Sequence, residues 1–125
     1  MRFVFCALIA LALSKCTPHG DRIQLRKADH GRVLHLRQGT ELTVSLEGNP
    51  TTGFTWEVAE LDSAAIVQEK EAEFVPHSRL IGAPGTFTFH FRALKKGTAT
   101  LRLVYRRPWE KEVPADTFSV RVVIK

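Results

Sequence analysis

Cysteine is nearly absent from this sequence. The 125 residues hold only Cys6 and Cys16. Cys6 lies inside an N-terminal apolar run, which leaves Cys16 as the one cysteine outside it. An intrachain disulfide framework and a CxxC zinc site are therefore both excluded, and a folded domain must stand on its apolar core. Long hydrophobic runs are missing as well. The longest, residues 3–13, falls short of the roughly 20 residues a membrane-spanning helix needs. Catalytic spacings are also wanting. His19, His30, His35, His77 and His90 form no HxH or HExxH pair, and there is no GxSxG elbow, P-loop or dinucleotide fingerprint. Acidic pairs such as Glu71 and Glu73 read as surface charge. No metal, cofactor or enzymatic activity is expected. The formal charge is +5, but the basic residues are scattered and their longest clusters are Lys95-Lys96 and Arg106-Arg107. A nucleic-acid binder concentrates its charge in a patch or along a helix; here the pattern is that of a solvated basic surface.

The apolar run at residues 3–13, preceded by Arg2, fits the h-region of a secretory signal. Two exits are open. Ala12 and Ser14 offer small residues for ordinary cleavage after Ser14. Alternatively, Leu13-Ser14-Lys15-Cys16 resembles a bacterial lipobox with Cys16 lipidated, although Lys15 stands where that pattern prefers a small residue. The lipidated form is favoured because Cys16 sits where the run ends. The expected location is the periplasm or cell envelope, or the medium. Residues 1–15 are read as the signal, 16–21 as a short linker, and 22–125 as the domain.

Within the domain the dominant pattern is alternation, the mark of half-buried strands. It appears at Ile23 and Leu25; at Leu34 and Leu36; and at Leu42, Val44 and Leu46. Phe54, Trp56 and Val58 share a face, as do Phe87, Phe89 and Phe91. Ala99, Leu101, Leu103 and Tyr105 form a stripe, and Phe118, Val120, Val122 and Ile124 close the chain. Turn signals separate these runs at Gly31, Gly39, Gly48-Asn49-Pro50, Gly82-Ala83-Pro84-Gly85, Lys96-Gly97 and Pro108. The expectation is an all-β, antiparallel sandwich. Residues 61–72 are the weakest stretch, read as a short helical turn or a loop before a short strand at residues 66–68.

Three segments stand out from this frame. In Asn49-Pro50-Thr51-Thr52-Gly53-Phe54, Asn-Pro initiates a turn and Gly53 permits backbone angles closed to other residues. Two threonines thus sit at a constrained tip, and Trp56, in register with Phe54 and Val58, belongs to the core. Leu80-Ile81-Gly82-Ala83-Pro84-Gly85 is poor in side chains, yet it opens on two adjacent apolar residues that need cover. In Arg107-Pro108-Trp109, proline ends a strand and Trp109 falls outside the alternation, so it is either a lid on the sandwich or an exposed contact. Trp and Arg are over-represented at binding hot spots. With no chemistry to assign, the chain reads as a binder.

Taken together and in order, Asn-Pro-Thr-Thr-Gly-Phe-x-Trp, a later Gly-x-x-Gly loop and a final Arg-Pro-Trp resemble the three signature loops of chagasin-type inhibitors. The likeness runs from about Asp21 to Lys125. It implies an immunoglobulin-like sandwich with the three loops gathered at one end, wedged into the cleft of a papain- or cathepsin-type cysteine protease. Thr51 and Thr52 would lie over the catalytic cysteine. Leu80 to Gly85 would run along the non-primed side, and Arg107, Pro108 and Trp109 along the other. The inhibitor would act reversibly and as a monomer. One departure is Pro84, where the family often has glycine; proline removes a backbone donor. The competing reading is an immunoglobulin-like envelope or adhesion module that inhibits nothing.

Overall fold

The computed structural model describes residues 21–125. The expected signal and Cys16 lie outside the described residues. Eight strands form: β1 (Arg22–Arg26), β2 (Val33–Leu36), β3 (Glu41–Gly48), β4 (Thr55–Leu61), β5 (Ile66–Pro76), β6 (Gly85–Ala93), β7 (Gly97–Arg106) and β8 (Asp116–Ile124). They make two four-stranded sheets, ordered β1-β3-β6-β5 and β2-β8-β7-β4. Short 3-10 turns at Lys27–Asp29 and Pro50–Thr52 are the described residues' helical elements.

Alternation is what makes this a sandwich. Along β6 buried and half-buried residues alternate without a break, so Phe87, Phe89, Phe91 and Ala93 all point inward. Leu42, Val44 and Leu46 do the same on β3, and Leu101, Leu103, Phe118, Val120, Val122 and Ile124 answer from the second sheet. Each inward row is nearly inaccessible to water. At about 25 cal/mol per Å² of apolar surface, this burial is the main driving force for a chain with no disulfide to constrain it.

Two features depart from the sequence-based expectation. The sandwich is not antiparallel throughout: β1 pairs with β3, and β2 with β8, in parallel. The links after β1 and β2 cross between sheets, so each edge strand returns in the same direction as its neighbour. Strand β5 is also far longer than residues 66–68. It pairs with β6 from Ile66↔Ala93 to Pro76↔Gly85. Its charged stretch hides it, because register shifts between Gln68 and Lys70 and between Lys70 and Glu73 break the alternation. Such bulges and charges are the usual protection of an exposed edge, and a Lys70–Glu73 ion pair (2.8 Å) lies on it. Before β5 the chain makes a turn, with Ala65 N–H and Ile66 N–H both donating to the Asp62 carbonyl.

Trp56 closes the core near one end. It is 5% exposed, and its indole N–H donates to the Glu47 carbonyl at 2.9 Å. Its ring centroid lies 5.2 Å from that of Tyr105. Trp56→Ala removes this packing and leaves a cavity; we expect a loss of about 3–5 kcal/mol, read in a thermal or denaturant melt. A melt within error of wild type would show that the ring is not a core element.

Candidate binding site

Strand register decides where the three segments meet. Gly48 at the end of β3 pairs with Gly85 at the start of β6, and Pro76 at the end of β5 pairs with the same Gly85. Thr55 opens β4 opposite Arg106, and Tyr105 lies opposite Asp116. The connections 49–54, 77–84 and 107–115 therefore emerge at one end of the sandwich.

The first connection is the middle one and is internally bonded. Asn49 caps the 3-10 turn: its Oδ1 accepts from Thr51 N–H (3.1 Å) and from the Thr51 hydroxyl (2.6 Å). The Thr52 hydroxyl donates to the Asn49 carbonyl (2.7 Å). Pro50 sits at the first position of the turn, where no N–H is needed. Gly53 ends it with φ of +87°, a left-handed conformation that favours glycine. Thr51 and Thr52 are left exposed at the tip.

Both neighbouring loops are tied to this one. Asn49 Nδ2 donates to the Gly82 carbonyl (3.0 Å), joining the second loop to the first. Arg107 Nε donates to the Thr52 carbonyl (3.0 Å), joining the third. The same guanidinium lies 4.5 Å from the centre of the Phe54 ring and donates to Glu110 (3.1 Å). Arg107 is thus engaged within the loop end itself, stacked on an aromatic face. Trp109 leans on the first loop: a β-carbon at Gly53 would lie 2.5 Å from its ring. The tryptophan is nevertheless 69% exposed, so it is not a lid on the core.

The second loop closes the β5–β6 hairpin. His77 N–H donates to the Pro84 carbonyl (2.9 Å), and the His77 ring is 2.8 Å from the Thr86 hydroxyl. Pro84 therefore takes part in the hairpin's pairing through its carbonyl acceptor. Ala83 N–H donates to the Leu80 carbonyl (3.2 Å). Leu80 is 77% exposed and Ile81 fully exposed at the tip, two apolar residues without cover among the described residues.

The sequence places Tyr105 in an alternating stripe at the start of the third segment without a role at the site, yet it supports the whole end. Its hydroxyl accepts from Asn49 N–H (2.8 Å), and its ring stacks on Phe54 at 5.2 Å. The close approach needs Gly48, where a β-carbon would lie 2.9 Å from the Tyr105 ring. The available signal was that this is the sole tyrosine, at the strand end just before Arg107. Val113 in the third loop is a further exposed apolar side chain, at 91%.

Exposed apolar residues are thus held on a bonded loop frame at one end of the sandwich. The sequence comparisons give its class. The profile described as "Chagasin family peptidase inhibitor I42" matches residues 35–122. Amoebiasin-2 of Entamoeba histolytica is 30% identical over 126 residues, covering 99% of this chain and 98% of that protein. Chagasin of Trypanosoma cruzi is 34% identical over 90 residues, covering 69% and 82% respectively. Among solved structures, that of the E. histolytica cysteine protease inhibitor EhICP2 superposes with a TM-score of 0.75 at 28% identity, covering 86% of this chain and 99% of that one. The chain belongs to the chagasin family of peptidase inhibitors, and it is an inhibitor and not an enzyme.

Tyr105→Phe removes the acceptor for Asn49 N–H while keeping the ring. We expect a stability loss of about 1 kcal/mol, within the usual 0.5–1.5 kcal/mol of one hydrogen bond, measured by denaturant titration. No change would mean that water replaces the hydroxyl at no cost.

Proposed function

We propose that this protein is a reversible, active-site-directed inhibitor of papain-like cysteine proteases, entering the cleft with Asn49 to Phe54, Leu80 to Gly85 and Arg107 to Trp109. The observation that carries the reading is the bonded loop frame, with the Thr51-Thr52 tip exposed between apolar flanks. A wedge held in its binding shape loses little ordering entropy on association. It blocks substrate by covering the nucleophile, and it escapes cleavage because it presents no scissile bond in an attack-ready pose. Trp109, Leu80 and Ile81 supply the apolar anchors, and backbone groups set register. Arg107 contributes by positioning the Thr52 carbonyl.

The protein acts as an exported monomer in this reading. Its Cys16 is lipidated and holds it at the cell envelope; cleavage after Ser14 and release is the alternative. Cys16→Ala should move the protein from the membrane fraction to the soluble one. Wild-type protein found unmodified and soluble would refute lipidation.

The central test is titration of papain with purified protein. Competition with a small substrate is expected, with serine proteases untouched; unchanged papain activity at micromolar inhibitor would sink the proposal. Two variants then probe the site. Trp109→Ala should melt nearly as wild type and dissociate from papain at least tenfold faster, since losing an interface anchor costs about 2 kcal/mol or more, mostly through the off-rate. Gly53→Val strains the backbone and drives into Trp109, so it should weaken inhibition more than Thr51→Ala. Undiminished inhibition by all three would place these loops outside the interface.

A further inference from the structure

The end opposite the loops gathers basic residues that the sequence disperses. Strands β2 and β8 reach this end together, with Leu36 paired to Ile124. Lys125 N–H donates to the Leu36 carbonyl (2.8 Å) and Gln38 N–H to the Lys125 carbonyl (3.2 Å), so Arg37 and Lys125 are neighbours. Gly97, which follows Lys95 and Lys96, pairs with Ile124. The Gln38 side chain donates to the Leu94 carbonyl (3.2 Å), tying that turn to the same spot. Arg37, Lys95, Lys96 and Lys125 are all exposed. Among the described residues none of the four enters an ion pair. Nearby carboxylates are engaged elsewhere. Glu41 binds Arg22 (3.1 Å) and Arg92 (2.6 Å), Glu69 binds Arg92 (3.1 Å), and Asp62 accepts Ala64 N–H (3.1 Å). Asp21 and Asp62 are the nearby acidic side chains without a cationic partner among the described residues. Leu94, next to Lys95, is an exposed apolar side chain.

A second observation concerns the path of the chain. The Asp21 carbonyl accepts from Glu41 N–H (2.9 Å), and Thr40 N–H donates to the Arg37 carbonyl (3.2 Å). The chain thus enters the sandwich at the basic end. Cys16 precedes Asp21 by five residues, which span at most about 18 Å when extended. From Ala93 to Gly85, β6 carries the fold roughly 26 Å away from this end to the loops.

We propose that this basic end is a docking face for an anionic lipid bilayer. Guanidinium and ammonium groups of Arg37, Lys95, Lys96 and Lys125 meet headgroup phosphates, and Leu94 enters the interfacial layer. Each basic residue near such a surface strengthens binding about fivefold. Docked this way, the sandwich stands with its three loops facing away from the membrane, free to meet a protease. The face acts whether or not Cys16 is lipidated, and it does not depend on what the loops bind.

The test uses the mature protein, without the signal at residues 1–15 and carrying Cys16→Ala, so that neither the apolar run nor an acyl chain contributes. It is titrated with vesicles of phosphatidylcholine and of phosphatidylcholine mixed with phosphatidylglycerol. Wild-type side chains should favour the anionic vesicles at least tenfold at low salt, and the preference should fade as salt screens it. The triple variant Arg37→Glu, Lys95→Glu, Lys96→Glu should lose the preference while keeping its melt and its papain inhibition. The milder Lys95→Gln, Lys96→Gln pair should lose part of it. Arg79→Glu, Lys111→Glu, Arg121→Glu changes the net charge equally elsewhere and should keep most of it. An equal loss in this control would assign the attraction to overall charge and overturn the docking face. So would a preference that survives the triple variant, or none in the wild-type background. Absence of papain inhibition by wild type would reject the protease reading and leave the vesicle result standing.

Discussion

Each polar group of Asn49 is engaged in holding the binding end together. Its N–H reaches Tyr105, its carbonyl takes the Thr52 hydroxyl, its side-chain oxygen takes two donors from Thr51, and its side-chain nitrogen reaches Gly82. One residue therefore caps the 3-10 turn, fixes the first loop to β7 and anchors the second loop. Aspartate could cap the turn equally well, but it has no donor for the Gly82 carbonyl. Serine is too short to serve both neighbours. The requirement for asparagine comes from the second loop as much as from the turn.

Arg107 completes the frame from the other side, and the two anchors differ in kind. Asn49 works through neutral hydrogen bonds. Arg107 adds a charge, balanced by Glu110 and spread over the Phe54 ring, while its Nε fixes the Thr52 carbonyl. Phe54 in turn stacks on Tyr105, which receives Asn49. The chain of contacts closes on itself: Asn49, Tyr105, Phe54, Arg107, Thr52 and back through the turn. A closed circuit resists deformation at any one link, which is what a loop needs if it is to block a cleft without adapting to it.

The fold was legible wherever one face of a strand is buried, because burial writes a period of two into the sequence. Phe87, Phe89 and Phe91 on β6 and Phe118 to Ile124 on β8 declare themselves. Where burial is lost the signal goes too: Glu69 to Glu73 belong to a strand held by backbone pairing to β6 alone, and two register shifts erase any alternation. Parallel pairing at β1 and β2 was not readable either, since alternation reports which face is buried and not the direction of a neighbour. At the site, residue types marked the loops, but partners across loops were invisible. Nothing local in Tyr105 says that its hydroxyl meets Asn49, fifty-six residues earlier in the chain.

The same limit explains the opposite end. Arg37, Lys95 with Lys96, and Lys125 look scattered along the chain, and scattered charge reads as solvation. Strand ends collect what sequence distance separates, because β2, β6, β7 and β8 all begin or end there. A sandwich has two ends and rigid strands between them, so the two clusters of loops cannot interfere with each other. Tyr105 and Asn49 can be tuned for a cleft while Arg37 and Lys96 remain free of that constraint. Arg107 is paired with Glu110 at the loop end, whereas Arg37, Lys95, Lys96 and Lys125 at the other end enter no ion pair among the described residues.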